Sequence, residues 1–290
     1  MMTTVRPPAP AAAAQPNMPW LDHYPSGIDW HMPLKVAPLY ALLDDAVAGF
    51  GDFTCTNFLG RTLSYSDIGG QVDRATVGLQ RLGVRKGTKV GLLLPNSPTF
   101  IIYFYAILKA GGTVVNFNPL YTVAELTQQV KDSDTELMVT LDLKVLFDKV
   151  EALLMSGCLA RAIVAPFPAL LPATKGALFR LFRSKQLARP LASPAATKVV
   201  LEAEIMAGDG RPEKVAIDPM NDVAVLQYTG HDGHAEGRHA HPRQRLRERA
   251  AGCGDLAKPG TGRGTGARGL AILPRLRADG GDEPRHRLRH

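Results

Sequence analysis

The chain has 290 residues, of which 45% are hydrophobic and 21% charged, a composition that excludes a disordered protein and leaves room for one large core or two small ones. A net charge of +7 ordinarily suggests a nucleic-acid or anionic-membrane partner. The excess is local, however: residues 231–290 hold 13 of the 34 Lys and Arg but only 7 of the 27 Asp and Glu, and residues 1–230 are nearly neutral.

Cys55, Cys158 and Cys253 are far apart and form no CxxC pair, which fits a reducing, cytoplasmic setting better than a disulfide framework. Met1 to Asn17 is rich in Pro and Ala with one Arg6 and no long apolar run. It therefore reads as a flexible leader over residues 1–18 rather than a secretory signal. The strongest apolar run, Phe100 to Leu108, is too short to span a bilayer.

In chain order, a short helix is expected from Leu39 to Gly49. A strand hairpin follows, Phe53 to Phe58 and Arg61 to Leu63, turned at Leu59-Gly60. Ser64 is placed to cap the next helix, on which Ile68, Val72, Ala75, Leu79 and Leu82 recur at three- and four-residue steps. Lys89 to Leu94 reads as a buried strand, and Ser97 as the cap of a helix from Pro98 to Ala110. Thr113 to Phe117 is the next strand. Thr122-Val-Ala-Glu125 matches a capping box, and Leu137 to Thr140, Leu143 to Leu154 and Ala162 to Val164 read as strand, helix and strand. This alternation predicts an α/β fold, a mostly parallel sheet flanked by helices.

Pro168 to Pro194 breaks the rhythm. Leu178, Phe179, Leu181 and Phe182 sit among Lys175, Arg180, Arg183 and Lys185, with no acidic residue. One reading is a surface helix that buries its Phe and Leu and leaves its cations solvated; the other is a basic amphipathic helix lying on an anionic membrane. The interruptions by Pro and Gly favour the first. After Asp218-Pro219 comes Asp222-Val-Ala-Val-Leu-Gln-Tyr-Thr-Gly230, a buried strand running into a Gly/Thr turn. Such a turn is the usual setting of a phosphate-binding loop, and it should continue with more Gly and Thr and then a Lys.

Three stretches carry a family likeness: Leu63-Ser-Tyr-Ser-Asp-Ile68, Gly83-Val-Arg-Lys-Gly-Thr-Lys-Val-Gly-Leu-Leu-Leu-Pro-Asn-Ser97, and Ala106-Ile-Leu-Lys-Ala-Gly-Gly-Thr-Val-Val-Asn-Phe-Asn-Pro-Leu-Tyr-Thr122. With Pro19-Trp-Leu upstream, they resemble the adenylate-forming (AMP-dependent) synthetases, most closely the N-terminal part of bacterial long-chain fatty acid–CoA ligases, over Trp20 to Gly230. The resemblance implies an incomplete N-terminal α/β domain over residues 19–230. It also implies a long-chain fatty acid substrate, with ATP, Mg²⁺ and coenzyme A as cofactors, for activation of the acid to an acyl-adenylate and then an acyl-CoA. Tyr228, Thr229 and Gly230 correspond to the start of the family's ATP phosphate loop.

After Gly230 the likeness stops. The family's Thr-Thr-Gly and Lys are replaced by His231-Asp-Gly-His234, and the later magnesium-binding Glu, ribose-binding Asp and C-terminal catalytic Lys are not found. Codons permitted for His231 to Gly237, read one base later, spell Thr-Thr-Gly-Thr-Pro-Lys-Gly. We therefore expect residues 231–290 to be an out-of-frame, disordered basic tail, and the chain to bind no cofactor productively and to lack ligase activity. The alternative is a non-catalytic fragment that binds a membrane, peripherally at its inner face, or a partner through residues 168–194 or the basic tail.

Other readings are weaker. His231, His234, His239 and His241 lack a carboxylate or Cys framework with metal-ligand spacing. Arg238 to Arg249 lacks aromatic platforms, so no specific nucleic-acid partner is expected. Lys109-Ala-Gly-Gly112 is first of all a helix C-cap. Asn116, Asn118 and Tyr121 either line a pocket beyond a strand's carboxyl end or hold an Asn-Pro turn.

Overall fold

A computed structural model of the chain describes residues 19–23, 36–231 and 234–240. The leader expected over residues 1–18 and most of the expected tail, residues 241–290, lie outside the described residues.

Helix α1 (Ala41–Phe50) leads into a two-stranded antiparallel hairpin, β1 (Thr54–Phe58) and β2 (Arg61–Ser64). Leu59 and Gly60 form its tip with positive φ of 54° and 99°, and the Gly60 N–H donates to Asn57 Oδ1 at 3.1 Å. Helix α2 (Tyr65–Arg81) begins at the expected cap. The Asp67 N–H donates to Ser64 Oγ at 3.0 Å while the Ser64 N–H donates to Asp67 Oδ2 at 2.9 Å, so two otherwise orphaned donors are satisfied reciprocally. Of its predicted apolar stripe, Ile68, Val72, Ala75 and Leu79 are buried, while Leu82 is the C-cap and only partly buried.

The main sheet then builds through β3 (Lys89–Leu92), α3 (Pro98–Lys109), β4 (Thr113–Asn116), α4 (Val123–Ser133), β5 (Leu137–Leu141), α5 (Lys144–Met155) and β6 (Arg161–Ala165). It closes with α6 (Ala173–Phe182), β7 (Val199–Leu201), the short α7 (Glu202–Ile205), β8 (Val225–His231) and β9 (His234–Ala240). The strand order is β7-β6-β5-β3-β4-β8-β9. Six neighbouring strands run parallel, and β9 is antiparallel to β8.

Alternate side chains feed two cores, as the strand pleat requires. Val90, Leu92, Val114, Val139, Ile163 and Val225 join the cluster under α1, α2 and α3. Val115, Met138, Ala162, Val164, Leu226 and Tyr228 join the cluster under α4 and α5. A sheet covered on both faces has to be apolar on both, which is why the parallel strands read as continuous apolar runs rather than alternating ones.

The structure departs from the sequence reading in four places. Ser97 does precede α3, but its hydroxyl makes no capping bond and is buried without a hydrogen-bond partner among the described residues. Residues 168–194 contain a ten-residue helix, α6, whose Leu178, Leu181 and Phe182 are 54%, 70% and 74% exposed. The expectation that its Leu and Phe are buried holds only for Phe179, which is partly buried and packs edge-on to Phe167 at 5.1 Å. The only fully buried α6 residue is Gly176; a Cβ there would sit 2.4 Å from the Pro168 carbonyl oxygen, so only a glycine allows the helix to approach that closely. Strand β7 and helix α7, at three and four residues, are too short to carry a periodic signal.

The last departure concerns the tail. In place of a disordered segment from His231, β8 runs through His231, and β9 pairs with it from Val225↔Ala240 to His231↔His234. A strand edge with unpaired N–H and C=O groups is a template for any chain that can follow it.

Candidate functional site

The candidate residues Tyr228, Thr229 and Gly230 fall at the carboxyl end of β8, beside β4 and one strand from β3. The direction of chain build-up reverses at β3, since β4 is added on one side and β5 on the other. Ligands of open α/β sheets favour the crevice beyond the carboxyl ends of strands at such a reversal. The three residues read from the sequence therefore lie at the carboxyl-end side of the parallel strands.

Their side chains are committed differently. Tyr228 is buried in the α4/α5 core, and its hydroxyl donates to Asp132 Oδ2 on α4 at 2.5 Å. Burial, then the bond to Asp132 and its negative charge, push the phenol above its ordinary pKa. Tyr228 therefore ties β8 to α4. Thr229 and Gly230 pair through the backbone with Glu236 and Ala235 of β9. They lie within a strand, where the sequence reading expects a turn.

The neighbouring strand ends are well determined. Thr113 Oγ1 donates to the Val223 carbonyl at 2.9 Å, and Asn116 Nδ2 donates to Gln227 Oε1 at 2.7 Å, which fixes the β4–β8 register at both ends. Asn116 Oδ1 is buried with no hydrogen-bond partner among the described residues. Asn118 holds a turn, its Oδ1 accepting the Leu120 N–H at 3.0 Å. Lys149 Nζ donates to the carbonyls of Pro119 and Tyr121 at 2.8 and 2.7 Å. Of the pocket and turn readings for Asn118 and Tyr121, these contacts favour the turn.

Lys109 behaves as a structural cation. Its ammonium donates to Asp44 Oδ1 at 2.9 Å and Asp73 Oδ1 at 2.8 Å. Burial opposes its charge, but the bonds to Asp73 and Asp44 outweigh it and raise the pKa.

A second polar cluster, which the sequence did not reveal, lies beyond β5, β6 and β7. Asp142 follows β5 and accepts the Phe167 N–H at 2.7 Å. Burial raises its pKa against that bond and against the charge of Arg180. Glu202 opens α7; burial, then the negative charge of Asp142, raise its pKa to about 7. The one available signal was Asp142 standing directly after a strand. An open groove of about 680 Å³ lies between α5 and residues 184–194, lined by Lys144, Asp148, Glu151, Lys185 and Arg189 among others. Strands β3 and β4 separate β5 from β8, so this groove is not at the β8 end.

Among the described residues, 228–231 do not present the free N–H groups of a phosphate loop. Phosphate oxygens need closely spaced free N–H groups and a cation. Here the backbone of 229 and 230 is engaged in a ladder, and no lysine occurs between Lys214 and Lys258. Among the described residues no group of three or more His, Cys, Asp or Glu is placed to hold a metal ion.

Comparison with known proteins identifies the fold and its family. Residues 43–230 match the AMP-binding enzyme family. A long-chain-fatty-acid–CoA ligase of Bacillus subtilis is 34% identical over 222 residues, 74% of this chain and 38% of that protein. One from Yersinia pestis is 27% identical over 83% of this chain and 44% of its own length. The chain thus spans less than half the length of these relatives. A long-chain-fatty-acid–CoA ligase of Archaeoglobus fulgidus superposes with a TM-score of 0.56 at 21% identity, over 77% of this chain and 40% of that one; at that identity the likeness speaks for the fold. The match over 43–230, the two-sided parallel sheet and the relatives agree: the chain belongs to the AMP-binding enzyme family.

Proposed function

We propose that residues 19–230 are part of the N-terminal domain of an acyl–CoA ligase whose intact form activates a long-chain fatty acid. The observation that carries this reading is the 34% identity to the Bacillus subtilis fatty acid ligase, sustained over 222 residues. The intact activity uses ATP and Mg²⁺ to convert the carboxylate to an acyl-adenylate and then passes the acyl group to coenzyme A. A carboxylate is a poor electrophile until adenylation supplies a good leaving group. Holding carboxylate and phosphate together against their repulsion requires fixed cations and N–H donors.

Tyr228, Thr229 and Gly230 are read as the first residues of the phosphate loop. The remainder, from His231, is read as translation out of frame, because codons permitted for His231 to Gly237 can be chosen that, read one base later, spell Thr-Thr-Gly-Thr-Pro-Lys-Gly. With a paired strand and no lysine at that place, the polypeptide as it stands is inactive, and no chemical step is assigned to its residues. An assay with ATP, palmitate and coenzyme A is expected to give no turnover above a blank; measurable palmitoyl-CoA would overturn the inactivity. The nucleotide sequence tests the frame independently: codons that do not spell the loop in the neighbouring frame would remove that part.

A second reading, attachment to a surface through residues 168–194, is favoured by the exposure of Leu178, Leu181 and Phe182 on α6. Among the described residues no helix is long and apolar enough to cross a membrane, so any such attachment is peripheral.

A further inference from the structure

The surface reading of α6 leaves open what else belongs to the surface and what it meets. Two elements that are distant in sequence meet here. Lys175 Nζ donates to the Leu59 carbonyl at 3.0 Å. A Cβ on Gly60 would lie 3.5 Å from Lys175 Nζ and 3.7 Å from the Pro172 ring. The tip of the β1–β2 hairpin therefore abuts the start of α6. Leu59, at that tip, is 57% exposed.

Along α6, Lys175, Leu178 and Phe182 are spaced three and four residues apart and share one stripe, with Leu181 next to it. Phe179 points the other way, onto Phe167, and the charge of Arg180 acts on the partly buried Asp142. The outward face thus holds four large apolar side chains, Leu59, Leu178, Leu181 and Phe182. Arg61, Lys175, Arg183 and Lys185 stand close to them along the chain, all exposed, with Lys175 bonded to the Leu59 carbonyl and Lys185 also on the rim of the groove beside α5. No acidic residue occurs between Glu151 and Glu202.

Isolated exposed apolar residues are ordinary, but several on one short helix, with exposed cations close to them in the chain, mark a contact surface. The charge decides the occupant. A second copy of this face would bring cation against cation, whereas an anionic bilayer accepts the apolar side chains at the acyl boundary and the cations at its headgroups.

We propose that the β1–β2 hairpin tip and α6 together form a docking surface for an anionic phospholipid bilayer, with Leu59, Leu178, Leu181 and Phe182 inserted and Arg61, Lys175, Arg183 and Lys185 at the headgroups. This rests on the second reading of residues 168–194 and adds to it the hairpin and the anionic lipid. The helix lies in the interface plane and leaves the sheet in water.

The test is co-sedimentation of the full chain with vesicles of phosphatidylcholine alone and of equimolar phosphatidylcholine and phosphatidylglycerol. Binding is expected only to the second. The basic tail contributes to binding in every variant, so insertion is read separately. Leu181→Trp should gain fluorescence that brominated lipid quenches; emission that stays unquenched while the chain sediments would assign binding to the tail and overturn the proposal. Arg183→Gln with Lys185→Gln should weaken partitioning roughly tenfold or more, since each surface cation contributes about fivefold.

Val145→Asp, at a position 66% exposed on α5, controls for added charge and should weaken binding less than Leu181→Asp. Equal losses would overturn the proposal. Leu59→Asn suits the left-handed tip and removes only the apolar side chain, so it should lower binding severalfold. If Leu59→Asn binds like wild type while the α6 variants do not, the hairpin's share is overturned and the α6 reading stands. If all bind like wild type, or if the chain self-associates through α6 without vesicles, both fall. None of these outcomes depends on the ligase reading.

Discussion

Helices α3 and α6 are made of similar material and end in opposite surroundings. α3 reads Pro-Thr-Phe-Ile-Ile-Tyr-Phe-Tyr-Ala-Ile-Leu-Lys and buries nine of its twelve residues; α6 reads Ala-Thr-Lys-Gly-Ala-Leu-Phe-Arg-Leu-Phe and buries Gly176 alone. What separates them is the layer available to cover them. α3 packs against α2 within the core cluster that includes Val90, Val114 and Val139 of the sheet. Among the described residues, α6 packs mainly on the Pro166–Leu171 segment and the hairpin tip. Apolar content therefore states a need for burial, and topology determines whether this chain meets it or leaves it to a partner.

The largest expected break in the comparison is Ile107→Ala on α3. Ile107 is fully buried, and the cavity should cost about 2–5 kcal/mol in urea unfolding. The next effect is a pH dependence beside α3, where Glu202 is close enough for its charge to act on Tyr103. The folded pKa of Glu202, about 7, lies above its ordinary 4.5, so between those values the native state holds a proton that the unfolded chain has released. Stability is fullest below that window and falls as pH rises through it. Glu202→Gln should remove this fall and raise stability at pH 8 by on the order of 2 kcal/mol, with little change near pH 4; denaturant midpoints across that range measure it.

Tyr103→Phe is a smaller effect. The Tyr103 hydroxyl is buried with no hydrogen-bond partner among the described residues, and burial, then the charge of Glu202, holds its pKa well above the ordinary value. Removing it should be neutral or stabilise by up to about 1 kcal/mol, as thermal unfolding would show. Smallest of all is Leu181→Ala on α6, expected to change stability by less than about 0.5 kcal/mol. A cost matching that of Ile107→Ala would mean that α6 is covered in solution.

What the sequence disclosed follows the same division. The stripe Ile68, Val72, Ala75 and Leu79, the cap at Ser64 and the capping box at Thr122 are local patterns with local causes, and they appear in the structure as read. The carboxyl-end position of Tyr228 was legible because an apolar strand and its following glycine are contiguous. The bond from Tyr228 to Asp132 spans 96 residues, and the approach of Lys175 to Leu59 spans 116; neither leaves a trace in local spacing. The raised pKa of Glu202 depends on Asp142, which only the sheet order brings near. Burial of α6 was misjudged for a related reason: amphipathic pattern gives a face but not the object it faces.

The β4–β8 pairing has a consequence for how the chain emerges during synthesis. Asn116 finds Gln227 across 111 residues. At about 5–20 residues per second, β4 waits roughly 5–20 s for the strand that will cover it. During that interval Val114, Val115 and Asn116 form an exposed edge, open to mispairing with other nascent chains. Strand β8 is thus the last parallel strand to arrive, and until it does the growing sheet keeps that edge open.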